Sequence, residues 1–174
     1  MKRIPYEIRV GELLKEKHLK LVLAESCTGG LVGNLITNIA GASDYYLGSV
    51  TAYAYEAKEA LLGVKHETLL QYGAVSRPTV LEMAGGVRRS LAGDIPLESI
   101  IGVSISGIAG PGGGLPDKPV GTVWFGMSTF EGAWAWRYSF HGDRIQNKRS
   151  SARTALRLVI LYLTDRLPPE TPGT

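Results

Sequence analysis

The sequence predicts an α/β fold, a three-layer α/β/α sandwich with a mixed, mostly parallel sheet, and three observations carry that expectation. Short apolar runs of strand length alternate with amphipathic helical segments along most of the chain. One run, Leu21-Val22-Leu23-Ala24, stops at Glu25-Ser26-Cys27-Thr28-Gly29-Gly30 and resumes as Leu31-Val32, the pattern of a buried strand, a tight turn and a helix start. Near the end, two strand-like runs meet at Glu131-Gly132 in a hairpin-like connection, so that pair runs antiparallel.

The elements follow in order. Ile8, Val10, Leu13 and Leu14 share one side of a helical wheel opposite Glu12, Lys15 and Glu16, which gives an amphipathic helix from about Tyr6 to Lys17. After the first strand and its turn, Leu31, Leu35, Ile36 and Ile39 continue at helical spacing until Gly41. Tyr45 to Tyr55 is aromatic and β-branched and reads as a second strand, leading into a short helix from Glu56 to Leu62 that Gly63 ends. Helical stretches follow from Glu67 to Tyr72 and from Pro78 to Leu91, where proline suits a first turn. Ile100 to Ser106 is a third strand, and Pro119 to Phe125 and Ala133 to Phe140 form the hairpin. A long helix from Asp143 to Leu167 sets Ala152, Ala155, Leu156, Val159, Ile160 and Leu163 on its apolar side. Residues 1–167 are expected to form one domain, and the proline-rich residues 168–174 a frayed, disordered tail.

Composition narrows the function. At 174 residues the chain has the length of one domain, and its 44% hydrophobic content supports a substantial core. Lysine and arginine exceed aspartate and glutamate by 19 − 16 = 3, without a basic run, which argues against a dedicated nucleic-acid binder and suits a small anionic ligand. The single cysteine cannot form an internal disulfide, and neither C-x-x-C nor clustered histidines suggest zinc, so a reducing cytoplasm is the natural compartment. Met1-Lys2-Arg3-Ile4-Pro5 leads into charged residues instead of a signal core, and no apolar run has bilayer-spanning length, so no membrane association is expected.

Ligands in such sheets sit at the carboxyl ends of strands, here the turns after Ala24, Tyr53 and Ser106. At the first of these, Ser26 is exposed on a strand-to-helix turn, Thr28 is placed to cap the helix, and helix-start amides near Gly29 and Gly30 are expected to face an anion or oxyanion. Taken alone, Ser26, Cys27 and Thr28 read equally well as turn and cap residues. Gly107 to Gly114, including Gly110, reads as a loop whose backbone can approach a ligand at the same site. Lys58 could serve as base for a serine if burial lowered its pKa, though by itself it reads as a surface lysine and Tyr53 as a packing aromatic. Gly142-Asp143-Arg144 opens the last helix, where Asp143 can cap and the Arg144 fork can hold a phosphate or carboxylate, or else form a salt bridge. His18, His66 and His141 show no triad or ligand spacing.

The motifs then assemble. Ala24-Glu25-Ser26-Cys27-Thr28-Gly29-Gly30, Tyr53-Ala54-Tyr55-Glu56-Ala57-Lys58, Gly73-Ala74-Val75-Ser76, Ser104-Ile105-Ser106-Gly107-Ile108-Ala109-Gly110-Pro111, Lys118-Pro119-Val120-Gly121-Thr122-Val123 and Gly142-Asp143-Arg144 closely resemble, in this order, the CinA C-terminal domain family. The resemblance covers nearly the whole chain, without the N-terminal domain of larger relatives. It implies an amidase that hydrolyses nicotinamide mononucleotide to nicotinic acid mononucleotide and ammonia on an α/β/α fold, with no metal or cofactor and with a homodimer as the expected assembly. Matching positions give Ser26 as nucleophile, Tyr53 and Lys58 as its activating partners, Ser106 near the reacting amide and Arg144 as a ligand-positioning group. Thr28, Gly29, Gly30, Gly107 and Gly110 complete the implied substrate site. One departure stands out: Tyr55 occupies a position where the family usually has a small polar residue, often asparagine. That departure keeps a second reading open, a non-catalytic mononucleotide-binding or protein-interaction module.

Overall fold

The computed structural model describes residues 4–172. Helix α1 (Tyr6–Glu16) leads into strand β1 (Lys20–Glu25), α2 (Leu31–Thr37) and β2 (Tyr46–Thr51). Three helices, α3 (Tyr55–Leu62), α4 (His66–Tyr72) and α5 (Arg77–Ser90), precede β3 (Ile100–Gly107). Strands β4 (Thr122–Ser128) and β5 (Ala133–Ser139) and the long α6 (Arg144–Leu163) follow. Strand β4 begins later than the apolar pattern suggests, because Pro119 to Thr122 is a turn in which the Thr122 amide donates to the Pro119 carbonyl at 3.0 Å. Helix α6 stops short of Leu167, where Asp165 takes a left-handed φ of 55°.

The sheet has the order β2-β1-β3-β4-β5. Strands β2, β1 and β3 run parallel, while β4 and β5 add the expected antiparallel hairpin. Strand alternation sends Leu21 and Leu23 to one face, against Val10, Leu14, Ile36, Leu156 and Val159 of α1, α2 and α6. Val22 and Ala24 point to the other face, against Leu62, Leu69, Met83 and Val87 of α3, α4 and α5. Register then fixes what lies side by side at the top of the sheet. Glu25 pairs with Ile105, so Ser26 comes next to Ser106; Ser106 pairs with Trp124, and Trp124 with Arg137. Ser26, Ser106, Trp124 and Arg137 therefore form a row across adjacent strands on one face.

Two features depart from the sequence reading. The start of α2 is not an open set of amides: the buried Glu25 carboxylate accepts from the amides of Val32 (3.1 Å) and Gly33 (2.9 Å). A carboxylate at that helix end satisfies two orphan donors and complements the dipole, which makes a buried charge tolerable. Glu25→Ala should lower the free energy of unfolding by on the order of 3 kcal/mol, read from urea midpoints, since hydrogen bonds to a charged group are the strong ones. An unchanged midpoint would mean that solvent replaces the carboxylate at no cost.

The second departure is the tail, expected to be frayed from residue 168 onward. Up to residue 172 it lies along the outer edge of β5. The Trp136 indole donates to the Pro168 carbonyl (3.1 Å), the Ala135 amide to Glu170 Oε1 (2.9 Å), the Arg137 amide to Thr171 Oγ1 (2.9 Å) and the Thr171 amide to the Ala135 carbonyl (3.1 Å). The cause is the edge itself: β5 has a row of unpaired backbone groups, and the tail meets them. Residues 173 and 174 lie outside the described residues.

Candidate active site

The turn after β1 and the start of α3 meet above the sheet. There the Lys58 side chain, fully buried, aims its ammonium at three oxygens: Ser26 Oγ at 3.1 Å, the Ala52 carbonyl at 2.7 Å and the Tyr53 carbonyl at 3.0 Å. The carbonyls belong to the segment between β2 and α3, so the geometry follows from where the chain leaves the sheet and re-enters a helix. No carboxylate among the described residues pairs with this lysine. Glu25, the nearest acidic group in sequence to Ser26, is fastened to the α2 amides instead. Burial with only neutral partners lowers the Lys58 pKa from 10.5 to about 8, the neighbouring Cys27 thiol acting weakly in the opposite direction. At pH 7 a pKa near 8 leaves about a tenth of the lysine neutral, against roughly one part in three thousand for an ordinary lysine.

Cys27 is a different group from its neighbour. Its thiol is buried, and burial pushes its pKa up to about 12, with the Glu25 carboxylate adding in the same direction. A thiol so desolvated stays protonated and unreactive near neutral pH. Thr28 does not cap α2; its hydroxyl is buried and has no hydrogen-bond partner among the described residues. Gly30 is the residue at the cap position, with a left-handed φ of 90°. The Gly29 amide donates to the Ser26 carbonyl at 3.0 Å, so it is committed within the turn. Among the described residues the amides of Thr28 and Gly30 have no backbone acceptor, while the Cys27 amide faces its own thiol.

The remaining expected residues divide by distance from the serine–lysine pair. Ser106 is buried beside Ser26 in the row, and its hydroxyl donates to the Ala74 carbonyl at 2.7 Å. Tyr53 reaches Lys58 through its backbone carbonyl; its ring is 63% exposed and its hydroxyl accepts from Arg144 Nη2 at 3.3 Å. Arg144 also donates from Nη1 to the Gly110 carbonyl at 2.7 Å, so the guanidinium ties the 107–114 loop to Tyr53. It makes no ion pair among the described residues. Asp143 caps α6 as expected, in a reciprocal box with Gln146 (2.8 and 2.9 Å). Gly107 is required by close packing, since a Cβ there would come within 2.6 Å of Val123 and 2.9 Å of the Thr122 carbonyl. Gly110 takes a left-handed φ of 89°, which turns its carbonyl toward Arg144.

Asn147, which the sequence reading passed over, and Tyr55, which it singled out only as a departure, support these groups. Asn147, buried on the first turns of α6, donates to the carbonyls of Ala109 and Gly142 (3.1 and 2.9 Å) and accepts from the Gly142 amide (3.0 Å), joining the glycine loop to the helix start. Tyr55, the departure from the family pattern, accepts from the Ala74 amide at 3.2 Å. Its hydroxyl thus holds the same residue whose carbonyl fixes Ser106.

The site is thus a buried serine–lysine pair on an α/β/α fold, with Arg144 joined to it through Tyr53. The chain belongs to the CinA C-terminal domain family, whose profile matches residues 4–163. It is 46% identical over 149 residues to the nicotinamide-nucleotide amidohydrolase PncC of Escherichia coli, an alignment that covers 85% of this chain and 87% of that one. It is 45% identical over 153 residues to a CinA-like protein of Salinibacter ruber, covering 88% of this chain but only 36% of that longer protein. A crystal structure of a CinA superfamily protein from Klebsiella pneumoniae superposes with a TM-score of 0.85 at 34% identity, covering 92% of this chain and 96% of the other.

Proposed function

We propose that this protein is a nicotinamide-nucleotide amidase, converting nicotinamide mononucleotide to nicotinic acid mononucleotide and ammonia. The observation that carries the reading is the buried, carboxylate-free Lys58 ammonium 3.1 Å from Ser26 Oγ, together with the similarity to the PncC amidohydrolase. With Lys58 neutral, its lone pair accepts the Ser26 proton as Oγ attacks the carboxamide carbon. The carbonyl oxygen gains negative charge in the tetrahedral intermediate, and the uncommitted amides of Thr28 and Gly30 are the donors that stabilise it. Lys58, now protonated, returns that proton to the departing nitrogen as the C–N bond breaks, and ammonia leaves. Water then attacks the acyl-serine with Lys58 again as base, which releases the carboxylate product and restores Ser26.

The other residues take positioning roles in this reading. Ala52 and Tyr53 carbonyls hold Lys58 in one rotamer, Ser106 fixes the loop beside the nucleophile, and Arg144 with the Tyr53 hydroxyl orients the ligand at the mouth. Nucleophile and base are both side chains, so the reaction needs no metal-bound water. The test is ammonia release from nicotinamide mononucleotide by purified protein, with and without a chelator. Release at the same rate in both, with nicotinic acid mononucleotide as product and free nicotinamide turned over far more slowly, is the expected result. Binding of the nucleotide without ammonia release would favour a mononucleotide-binding module, and loss on chelation restored by a divalent ion would overturn the serine mechanism.

A further inference from the structure

Beyond Ala74, on the side away from Ser26, a cleft of about 500 Å³ opens between the start of α5, the loop before β4 and strand β5. Its walls bring together Arg77, Lys118 and Arg137, with Ser76 and the largely buried Trp124 between them. Each cation comes from a different element, and two of them are held without being neutralised. Lys118 Nζ donates to the Tyr72 carbonyl at 2.8 Å, and Arg137 Nη2 to the Asp117 carbonyl at 2.7 Å. Carbonyls orient a cation but leave its charge and its other N–H groups available. Neither residue has a carboxylate partner among the described residues, although the Asp117 side chain also lines the cleft. Arg77 is paired at 2.9 Å with Glu170 of the tail, whose carboxylate also accepts from the Ala135 amide.

The structure assigns to this cleft the binding of a phosphate group. Arg77 is offset by Glu170, but Lys118 and Arg137 bring charge without a carboxylate partner to the same cleft, and an anion with several oxygens offsets that charge while filling the unused N–H groups. A tetrahedral dianion meets donors arriving from three directions, whereas a carboxylate is matched by a single guanidinium fork. The position in the row indicates two sources for such a group. Trp124 is two strands from Ser26, about 10 Å at ordinary strand spacing, comparable to the reach of a mononucleotide from its carboxamide to its phosphate. The phosphate is therefore either that of the substrate, extending along the row, or that of a separate ligand bound behind the wall that fixes Ser106.

Calorimetric titration of the purified protein with inorganic phosphate tests the assignment without any turnover, so its outcome is independent of the amidase reading. Wild type should bind, and Lys118→Gln and Arg137→Gln should each weaken binding by about ten-fold, the loss expected for one charge-assisted contact. Arg149→Gln, on α6 beside Gly29 and outside this cleft, should leave it unchanged. Glu170→Gln keeps an oxygen for the Ala135 amide but removes the charge that neutralises Arg77, so it should tighten binding, a gain that damage to the fold would not produce. Lys118→Arg and Arg137→Lys, which keep the charge, should retain binding and serve if a neutral variant fails to fold. Absence of phosphate binding, wild-type affinity in both Lys118→Gln and Arg137→Gln, or an equal loss in Arg149→Gln would overturn the assignment. With nicotinamide mononucleotide as substrate, competitive inhibition by phosphate identifies the substrate's own phosphate as the occupant. Inhibition or activation that substrate does not relieve identifies a separate ligand, leaving the substrate phosphate to Arg144.

Discussion

Ser26→Ala should abolish ammonia release from nicotinamide mononucleotide, a loss of about 10³-fold or more, while Cys27→Ala should keep most of the wild-type rate. The two residues are neighbours on one turn at the end of β1, and chain position alone does not choose between them. Their surroundings do. Ser26 Oγ has a lysine nitrogen at 3.1 Å that can take its proton, whereas the Cys27 thiol is turned into the packed interior and its pKa lies at about 12. A thiol with that pKa supplies almost no thiolate at neutral pH, because its buried surroundings disfavour the anion. Steady-state rates of the two variants, with nucleotide binding measured alongside, check this. The opposite pattern, or thiol alkylation that stops turnover without blocking substrate entry, would assign the nucleophile to Cys27.

The parts of this molecule legible in the sequence are those written in local patterns. The apolar run before Ser26, the glycine after α3, the Asp143 cap and the glutamate–glycine hairpin each specify an element through neighbouring residues, and each element formed. Contacts between distant residues were not legible in that way. Lys58 and Ser26 are 32 residues apart, and nothing in the charge pattern marks this lysine as buried rather than solvated. Only family resemblance singled it out. Glu25 was read as a turn residue because an acceptor reaching forward to Val32 and Gly33 leaves no trace in propensity. That same carboxylate displaced Thr28 from the expected cap and removed the α2 amides from the list of oxyanion donors. The tail failed for a related reason: a proline-rich end lacks its own structure, but the exposed β5 edge supplies acceptors and donors that order it.

Lys58→Arg should lower kcat/KM for nicotinamide mononucleotide by about 10² to 10⁴-fold, the range that a positioned general base contributes. Arginine keeps the positive charge and the hydrogen-bonding capacity but does not give up a proton near neutral pH. In wild type, the neutral form of Lys58 is the active one, so kcat/KM should rise with pH and level off above about 8. Stability carries the same signature. The unfolded chain holds this proton until about pH 10.5, while the folded protein releases it at about 8. Between those values unfolding takes up a proton, so raising the pH stabilises the folded state; below about 8 both states are protonated and the buried charge exerts its full cost. Wild-type stability measured relative to Lys58→Met should therefore grow by on the order of 3 kcal/mol from about pH 8 to about pH 10.5. Chemical denaturation of both proteins across that window, beside the pH–rate profile, separates a catalytic base from a buried strut. Near-normal turnover in Lys58→Arg, or a flat rate profile with a constant stability difference, would make Lys58 a structural cation and send the search for the base to another group at the Ser26 turn.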